Sequence, residues 1–314
     1  MKILITGVHG FVGSNLVEAL KGQHTIYGLD IVSPIKDGVR FTFSWDFLDK
    51  PGEIPDVDAI IHLAGKAHDT KNQSAADVYF KVNTGLTQKI FDWFLAQPSC
   101  KKFVFFSTAK AAADKVEGIL TEDVVPSPVG PYGESKIKAE EYILGKMEDV
   151  RSKSKDVYIF RPCMIHGPGN KGNLNLLYNV VKKGIPWPLG AFENRRTFTS
   201  VENICYAVNG VLTKDVPSGI YNMGDDEALS TNELIEEICK SLGKKAHIWK
   251  LPKGLMNGVA KIGGWLHLPL NPERLRKLTE NYISSNEKIK KALGVEKMPV
   301  DARKGLQVTL NSFR

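Results

Sequence analysis

The chain has little cysteine and spaces it widely: Cys100, Cys163, Cys205 and Cys239 stand far apart, with no C-x-x-C pair. A disulfide scaffold and a cysteine zinc site are therefore not expected, and a reducing cytoplasm fits. No apolar run approaches the ~20 residues that a membrane helix requires, so no integral membrane segment is expected. No leader peptide is expected either, because the first apolar strand begins almost at Met1. Repeats and low-complexity tracts are missing. The formal charge is +7 and the pI about 9.0, yet the lysines are dispersed and accompanied by no basic run or nucleic-acid motif. Nucleic acid is thus not an expected partner, and an anionic small substrate or a solvated surface accounts for the excess. What 314 residues permit is one large α/β domain plus a smaller lobe.

The most informative stretch comes first. Residues 2–13 read KILITGVHGFVG, an apolar strand (Ile3, Leu4, Ile5) running into glycines at every third position, Gly7, Gly10 and Gly13. The following SNLVEALKG sets Leu16, Val17 and Leu20 at helical spacing. Gly7 permits a tight turn, Gly10 lets a pyrophosphate approach the backbone, and Gly13 lets helix pack on strand. The helix N-terminus adds free N–H groups and a positive dipole end. Alone, the triplet also fits an ordinary strand–turn–helix. A second strand, TIYGLD, ends in Asp30 about 20 residues on, where a carboxylate hydrogen-bonds the adenine ribose hydroxyls. Together they read as a dinucleotide site. Asp30 would repel the extra phosphate of NADP, so NAD is expected as the cofactor in preference to NADP.

Further strands are expected at 40–45, 59–64, 102–107 and 157–161, with helices over 11–22, 75–96 and 132–148. Short apolar strands separated by amphipathic segments argue for an α/β fold, a doubly wound parallel sheet covered on both faces. Beyond about 165 the rhythm breaks at HGPGNKGN into short mixed elements, among them a strand at 219–224 and a capped helix in STNELIEEICKSLG. The expected division is 1–165 for the dinucleotide domain and 166–314 mainly for a mixed α/β substrate lobe, with segments interleaved. Residues 253–267 mix apolar side chains with Lys253, Lys261 and Trp265. A helix packed into the lobe is expected there, the alternative being a membrane-surface helix.

Reactive groups belong at the carboxyl edge of the sheet. Just after 102–107 stand Ser107, Thr108, Ala109 and Lys110, and farther on PYGESKIKAEEY sets Tyr132 and Lys136 four apart on one helical face. The Tyr-x-x-x-Lys pattern recurs at Tyr142/Lys146 and Tyr178/Lys182. Tyr132 alone follows a Pro/Gly turn and opens a helix, whereas Tyr142 is rotated roughly 80° away and Tyr178 falls beyond the sixth strand. Oxidising a secondary alcohol requires removing its proton as hydride leaves for a nicotinamide. A free phenol, with a pKa about 10, is a poor base at neutral pH. A cation some 4 Å away contributes roughly 4 kcal/mol at an effective dielectric of 20, up to about three pKa units before desolvation opposes it. Lys136 is therefore expected to pull the Tyr132 phenol down, making it a base in one direction and an acid in the other.

With TGVHGFVG, Asp30, HLAG at 62–65, Asn83 in KVNTG, FFST at 105–108, Tyr132/Lys136 and RPCMIHGPG at 161–169, nearly the whole chain resembles the extended short-chain dehydrogenase/reductase family, in its nucleotide-sugar epimerase, dehydratase and ketoreductase branch. The resemblance implies NAD held by Gly7, Gly10, Phe11, Val12, Gly13 and Asp30, with Asp46 and Phe47 bordering the adenine. It implies Leu63, Ala64, Gly65 and Asn83 along the cofactor, and Tyr132 and Lys136 at its nicotinamide end. Thr108 would hydrogen-bond the reacting sugar oxygen. In the lobe it implies a UDP-sugar, with Asn173 and Arg196 near the diphosphate and Trp187 to Leu189 at the uracil. Arg195 competes with Arg196, and Arg274 or Lys277 would add a phosphate contact. His166 and His68 are expected to be wall or surface residues.

One departure narrows the chemistry. Sugar 4,6-dehydratases of the family carry an Asp-Glu pair after the catalytic Thr, where this chain has Ala109-Lys110, so dehydration is not expected. A 4-epimerase of a UDP-hexose or UDP-N-acetylhexosamine comes first, a 4-ketoreductase of a UDP-4-keto-6-deoxy sugar second. A non-catalytic dinucleotide sensor would have lost Thr108, Tyr132 or Lys136. The resemblance also implies a homodimer through the Tyr-bearing helix, where Ile137, Tyr142 and Ile143 would serve or would face the sheet.

Overall fold

The computed structural model describes residues 1–50, 52–67, 75–170, 172–266 and 270–314. Its strands are β1 (Lys2–Thr6), β2 (Thr25–Leu29), β3 (Val39–Phe43), β4 (Ala59–His62), β5 (Lys102–Phe106), β6 (Ile119–Leu120), β7 (Asp156–Pro162), β8 (Met164–His166), β9 (Phe198–Ser200), β10 (Gly219–Met223) and β11 (Ile283–Ser284). Seven of them form one sheet in the order β10-β7-β5-β4-β1-β2-β3, and every pairing in it is parallel. The central strands are apolar on both faces because both faces are covered. Ile3 and Ile5 of β1, with Val104 and Phe106 of β5, meet helices Phe11–Leu20 and Val201–Thr213. Leu4, Phe103 and Phe105 point the other way, onto helices Leu86–Ala96 and Pro131–Gly145. This alternation is the period of two of a strand buried twice over.

The strand order reverses at β1, between β2 on one side and β4 on the other. Such a switch point opens a crevice at the carboxyl ends of the strands. The expected strands were drawn slightly long at that edge: β2 stops before Asp30, β4 before Leu63, and β5 before Ser107. There the chain leaves the ladder. The expected helix 75–96 is also interrupted, running Ala76–Tyr79, then a π-helical turn Phe80–Gly85, then Leu86–Ala96. The wide turn faces Asn83 fully inward, a common use of such turns near functional sites.

Beyond residue 165 the chain returns to the sheet through helix Val201–Thr213 and β10. The rest builds a third core from helices Asn173–Lys182, Thr231–Ser241, Lys253–Trp265, Pro272–Thr279 and Ala302–Asn311. Ser230 starts its helix with a capping box closed by Glu233. A small cluster of Ala109, Ala112, Ala113, Leu120, Cys163 and Tyr282 joins this lobe to the sheet edge.

Candidate active site

The glycine loop closes on itself through hydrogen bonds from Gly7 N–H to the Leu29 carbonyl (2.9 Å) and from Gly10 N–H to the Gly7 carbonyl (3.0 Å). Gly7 has φ +68°, a conformation that favours glycine. A Cβ at Gly13 would fall 2.4 Å from the Gly7 oxygen and 2.9 Å from Val8 Cα, so any side chain there drives helix from strand. A Cβ at Gly10 would meet only the Gly7 oxygen, at 3.1 Å, and its outer side is open. Phe11 and Val12 begin a helix with no side-chain cap and no acidic residue in its first turn, which leaves its N–H groups for an anion. Asn15 ties the helix to the Pro168 carbonyl (3.0 Å). At the end of β2, Asp30 accepts from His9 N–H (3.0 Å) and Ile31 N–H (2.7 Å). Asp46 and Phe47 lie on the turn Trp45–Asp49 after neighbouring β3. Asp46 is exposed and bonded to Ser44 and Lys50, while the Phe47 ring packs edge-on against Phe43 at 5.3 Å.

Leu63, Ala64 and Gly65 leave β4 over a buried relay. Ala64 N–H donates to Thr6 Oγ1 (3.0 Å), and Thr6 Oγ1 lies 2.7 Å from His62 Nδ1. On the other side of the ring, Nε2 lies 2.9 Å from Thr87 Oγ1, which donates to the Asn83 carbonyl (2.6 Å). Thr87 has spent its proton, so the ring donates from Nε2 and accepts at Nδ1 from Thr6. Burial, with the nearby Lys136 charge, holds His62 well below its ordinary pKa and hence neutral. Asn83 accepts from Lys66 N–H (2.7 Å) and donates to the Lys66 carbonyl (3.2 Å) and Ser135 Oγ (2.9 Å). It thereby fastens the loop after β4 to the helix that carries Tyr132.

Thr108 caps the short turn Ala109–Ala112. The helix Pro131–Gly145 enters through Gly130 at φ +86°, and a Cβ on Gly133 would lie 2.6 Å from the Lys110 carbonyl. That close approach brings Tyr132 beside Thr108, whose hydroxyl pulls the phenol's pKa down. The Tyr79 ring stands edge-on to Tyr132 at 6.4 Å. Lys136 donates to the Phe106 carbonyl (2.8 Å) and lies over the Phe105 ring at 4.9 Å. Burial lowers its pKa to about 8, against a smaller upward pull from Glu140. The Tyr132 phenol is pushed up by burial, which outweighs the opposite pull of Thr108. Desolvation, expected to oppose a lowering by Lys136, prevails at Tyr132, and the ammonium is turned to the Phe106 carbonyl.

Beneath this cluster lies a pair that the sequence reading passed over. Glu140 and Arg161 are 0% and 2% exposed, and the guanidinium donates to both carboxylate oxygens from Nε (3.1 Å each) and to one from a terminal nitrogen (2.6 Å). The Ser107 hydroxyl completes the group on Glu140. The signal was the spacing 132, 136, 140, three polar residues on one stripe of a helix otherwise packed on the sheet.

In the lobe, Arg196 is bridged by its backbone to Leu229 and Tyr282, and its half-buried guanidinium donates to the Lys277 carbonyl. Arg195 points outward to Glu233 (2.8 Å). Of the two, Arg196 faces inward. Asn173 is the exposed first residue of its helix. Trp187 and Leu189 are buried in the lobe core and pair through their backbones with Ile248 and Lys250. Lys277 reaches Glu273 (2.7 Å) and Arg274 N–H caps onto Asn271 (2.9 Å). Arg276, missed from sequence, spans from the lobe to Asp114 (3.4 Å), which also holds Lys110 (3.0 Å). His166 is buried between Thr309 (2.8 Å) and Asp225 (3.5 Å); His68 lies outside the described residues. Tyr142 and Lys146 meet at Asp92 on the surface, Tyr178 is buried in the lobe core, and Ile143 faces the sheet.

Comparison with known proteins agrees with this geometry. The model of the NAD dependent epimerase/dehydratase family matches residues 3–224. A UDP-glucose 4-epimerase of Vibrio cholerae is 32% identical over 267 residues, which cover 80% of this chain and 78% of the relative. The N-acetyl-alpha-D-glucosaminyl-diphospho-ditrans,octacis-undecaprenol 4-epimerase of Escherichia coli O157:H7 is 26% identical, covering 92% and 84%. Among solved structures, the Bacillus cereus UDP-glucuronic acid 4-epimerase in complex with UDP-glucuronic acid and NAD shares the fold, with a TM-score of 0.75 and 21% identity over 100% of this chain and 99% of that one. A family match across most of the chain, with a relative at that identity, decides the assignment: this protein belongs to the NAD dependent epimerase/dehydratase family and is an enzyme of the extended short-chain dehydrogenase/reductase type.

Proposed function

We propose that the protein is an NAD-dependent epimerase acting at C4 of a UDP-hexose or UDP-N-acetylhexosamine. The observation that carries this reading is Thr108 set beside the Tyr132 phenol, with Lys136 one turn farther along the same helix, at the carboxyl edge of β4 and β5. The residues fit the cofactor: the open side of Gly10 and the uncapped helix at Phe11 suit a pyrophosphate, and Asp30 suits a ribose diol. Gly65 is held close to Lys136, since a Cβ there would stand 3.2 Å from Nζ. Bound there, oxidised NAD would accept hydride from C4 and, for epimerisation, return it to the opposite face.

The chain's own groups handle the proton and the orientation. Thr108 hydrogen-bonds the sugar oxygen, and Tyr132 takes the hydroxyl proton and gives it back. Because burial raises the phenol, Tyr132 needs a cation close by to act as base; one about 4 Å away is worth roughly three pKa units. Lys136, with a pKa of about 8, still carries its proton at neutral pH. Residues 1–165 would hold mainly the dinucleotide and 166–314 mainly the UDP-sugar. Arg196 would exchange the Lys277 carbonyl for the diphosphate, a stronger, charged acceptor. Asp114 is occupied by Lys110 and Arg276, so among the described residues no carboxylate beside Ala109-Lys110 is left free for eliminating water.

A second reading, reduction of a UDP-4-keto-6-deoxy sugar, is favoured by one observation: a raised phenol is the protonated form that donates to a developing alkoxide. Incubating the protein with UDP-glucose or UDP-N-acetylglucosamine, without reductant, and following the anomeric protons by NMR separates the two. Growth of the galacto-configured product to a steady ratio supports the epimerase. Unchanged sugars despite added NAD, together with NAD(P)H consumption on a UDP-4-keto-6-deoxy sugar, overturn it in favour of the reductase.

A further inference from the structure

Helix Lys253–Trp265 is apolar on two faces. Met256, Ala260 and Gly263 are buried against the lobe. Leu255, Val259 and Ile262, followed by Trp265 and Leu266, stand 54%, 44%, 58%, 81% and 51% exposed. The positions 255, 259, 262 and 266 form one stripe at helical spacing. Trp249, just upstream, is 55% exposed, and Ile185 is 54% exposed in a cavity it shares with Lys244, Lys245 and His247. Among the described residues this apolar surface has no partner, and it carries two tryptophans, the residue type that anchors at a lipid headgroup boundary.

Charge says what covers it. Between Glu237 and Glu273 the sequence has no Asp or Glu, while Lys240, Lys244, Lys245, Lys250, Lys253 and Lys261 all lie there. All six are exposed. A second copy of the chain meeting this face symmetrically would bring two sets of these lysines together, which like-charge repulsion opposes. A neutral apolar partner would leave them uncompensated. A negatively charged bilayer surface satisfies both features, and no helix among the described residues is long and apolar enough to cross a membrane. We propose that the exposed face of helix Lys253–Trp265, with Trp249 and the flanking lysines, docks the protein peripherally on an anionic lipid surface, the helix lying in the headgroup plane.

The test is co-sedimentation of the full chain with phosphatidylcholine vesicles with and without phosphatidylglycerol. The protein should pellet with the anionic vesicles, remain in solution with pure phosphatidylcholine, and be released as salt rises. Ile262→Ser with Trp265→Ser should weaken binding more than about tenfold. Lys253→Gln and Lys261→Gln should each weaken it about fivefold. All four side chains are exposed, so circular dichroism and melting temperature should match the parent. No pelleting on anionic vesicles, or variants that bind like the parent, would overturn the proposal. So would a dimer, seen by light scattering, that Trp265→Ser dissociates, since a second copy would then cover the face.

Discussion

The sheet edge and the lobe present their polar groups in opposite ways. At the sheet edge the polar side chains that hold the loops are buried and already bonded to protein: Asn83 to Lys66 and Ser135, His62 to Thr6 and Thr87, Glu140 to Arg161 and Ser107. In the lobe the candidate substrate groups are exposed or held by a replaceable partner, as with Asn173 and the Arg196 contact to the Lys277 carbonyl. A preorganised edge holds reacting groups in place without reorganisation during the reaction. Under the proposed function, a lobe whose arginine changes partners would bind by exchange, and its residues would set affinity more than rate.

The largest effect that would break this comparison lies in the phenol. Tyr132→Phe removes the one oxygen that would touch the reacting group in the proposed reaction and leaves the ring packed beside Tyr79. Turnover followed by NMR should fall about 10³-fold, with the melting temperature shifted by no more than a degree or two. A modest loss of turnover would mean that the proton travels elsewhere.

Next comes the buried pair. Glu140→Ala leaves the Arg161 guanidinium uncompensated in the core and should cost about 3–5 kcal/mol in urea unfolding. Glu273→Ala, which breaks an exposed pair with Lys277, should cost under about 1 kcal/mol. Similar costs for the two would deny the edge its special rigidity. A smaller effect belongs to the lobe: Arg196→Gln should lower kcat/KM for the UDP-sugar about 10- to 100-fold, mainly through KM, while Arg195→Gln leaves it unchanged. A loss confined to kcat would instead make Arg196 part of the chemistry.

What the sequence made legible divides along the same line. The strands were readable because Ile3-Leu4-Ile5 and Phe103-Val104-Phe105-Phe106 are apolar on both faces, which a doubly covered strand requires. Their carboxyl ends were drawn long because Leu63 and Ala64 look like strand residues until the chain turns toward Thr6. Tyr132 was separable from two other Tyr-x-x-x-Lys pairs by the turn before it. Glu140 left only the spacing 132, 136, 140 as a trace: in KAEEY it resembles a solvated helix face, and its partner Arg161 arrives from a different strand. The π-turn at Asn83 was hidden for the same reason, since what it serves lies at Ser135 and Lys66.

The smallest effect is the most specific test of the buried relay. In the folded protein His62 is neutral, its pKa held well below 6.5 by burial and the Lys136 charge. In the unfolded chain it titrates near its ordinary value of about 6.5. Below that pH the unfolded state binds a proton that the folded state refuses, so the contribution to stability is complete above 6.5 and is lost as pH falls toward the folded pKa. One such group gives a slope of at most about 1.4 kcal/mol per pH unit. His9 and His24 are shifted in the same direction, also by burial, and add to the total. They remain in a His62→Gln variant, whose difference from the parent therefore isolates His62. Urea unfolding of both between pH 7.5 and 5 should show the variant less stable at the upper end, where the relay is broken, and the gap narrowing by about 1–2 kcal/mol toward the lower. Parallel curves would mean that His62 takes up its proton in the folded state. Thr6 could then no longer donate to Nδ1, and the hydrogen-bond directions assigned to the loop under Ala64 would have to be reversed.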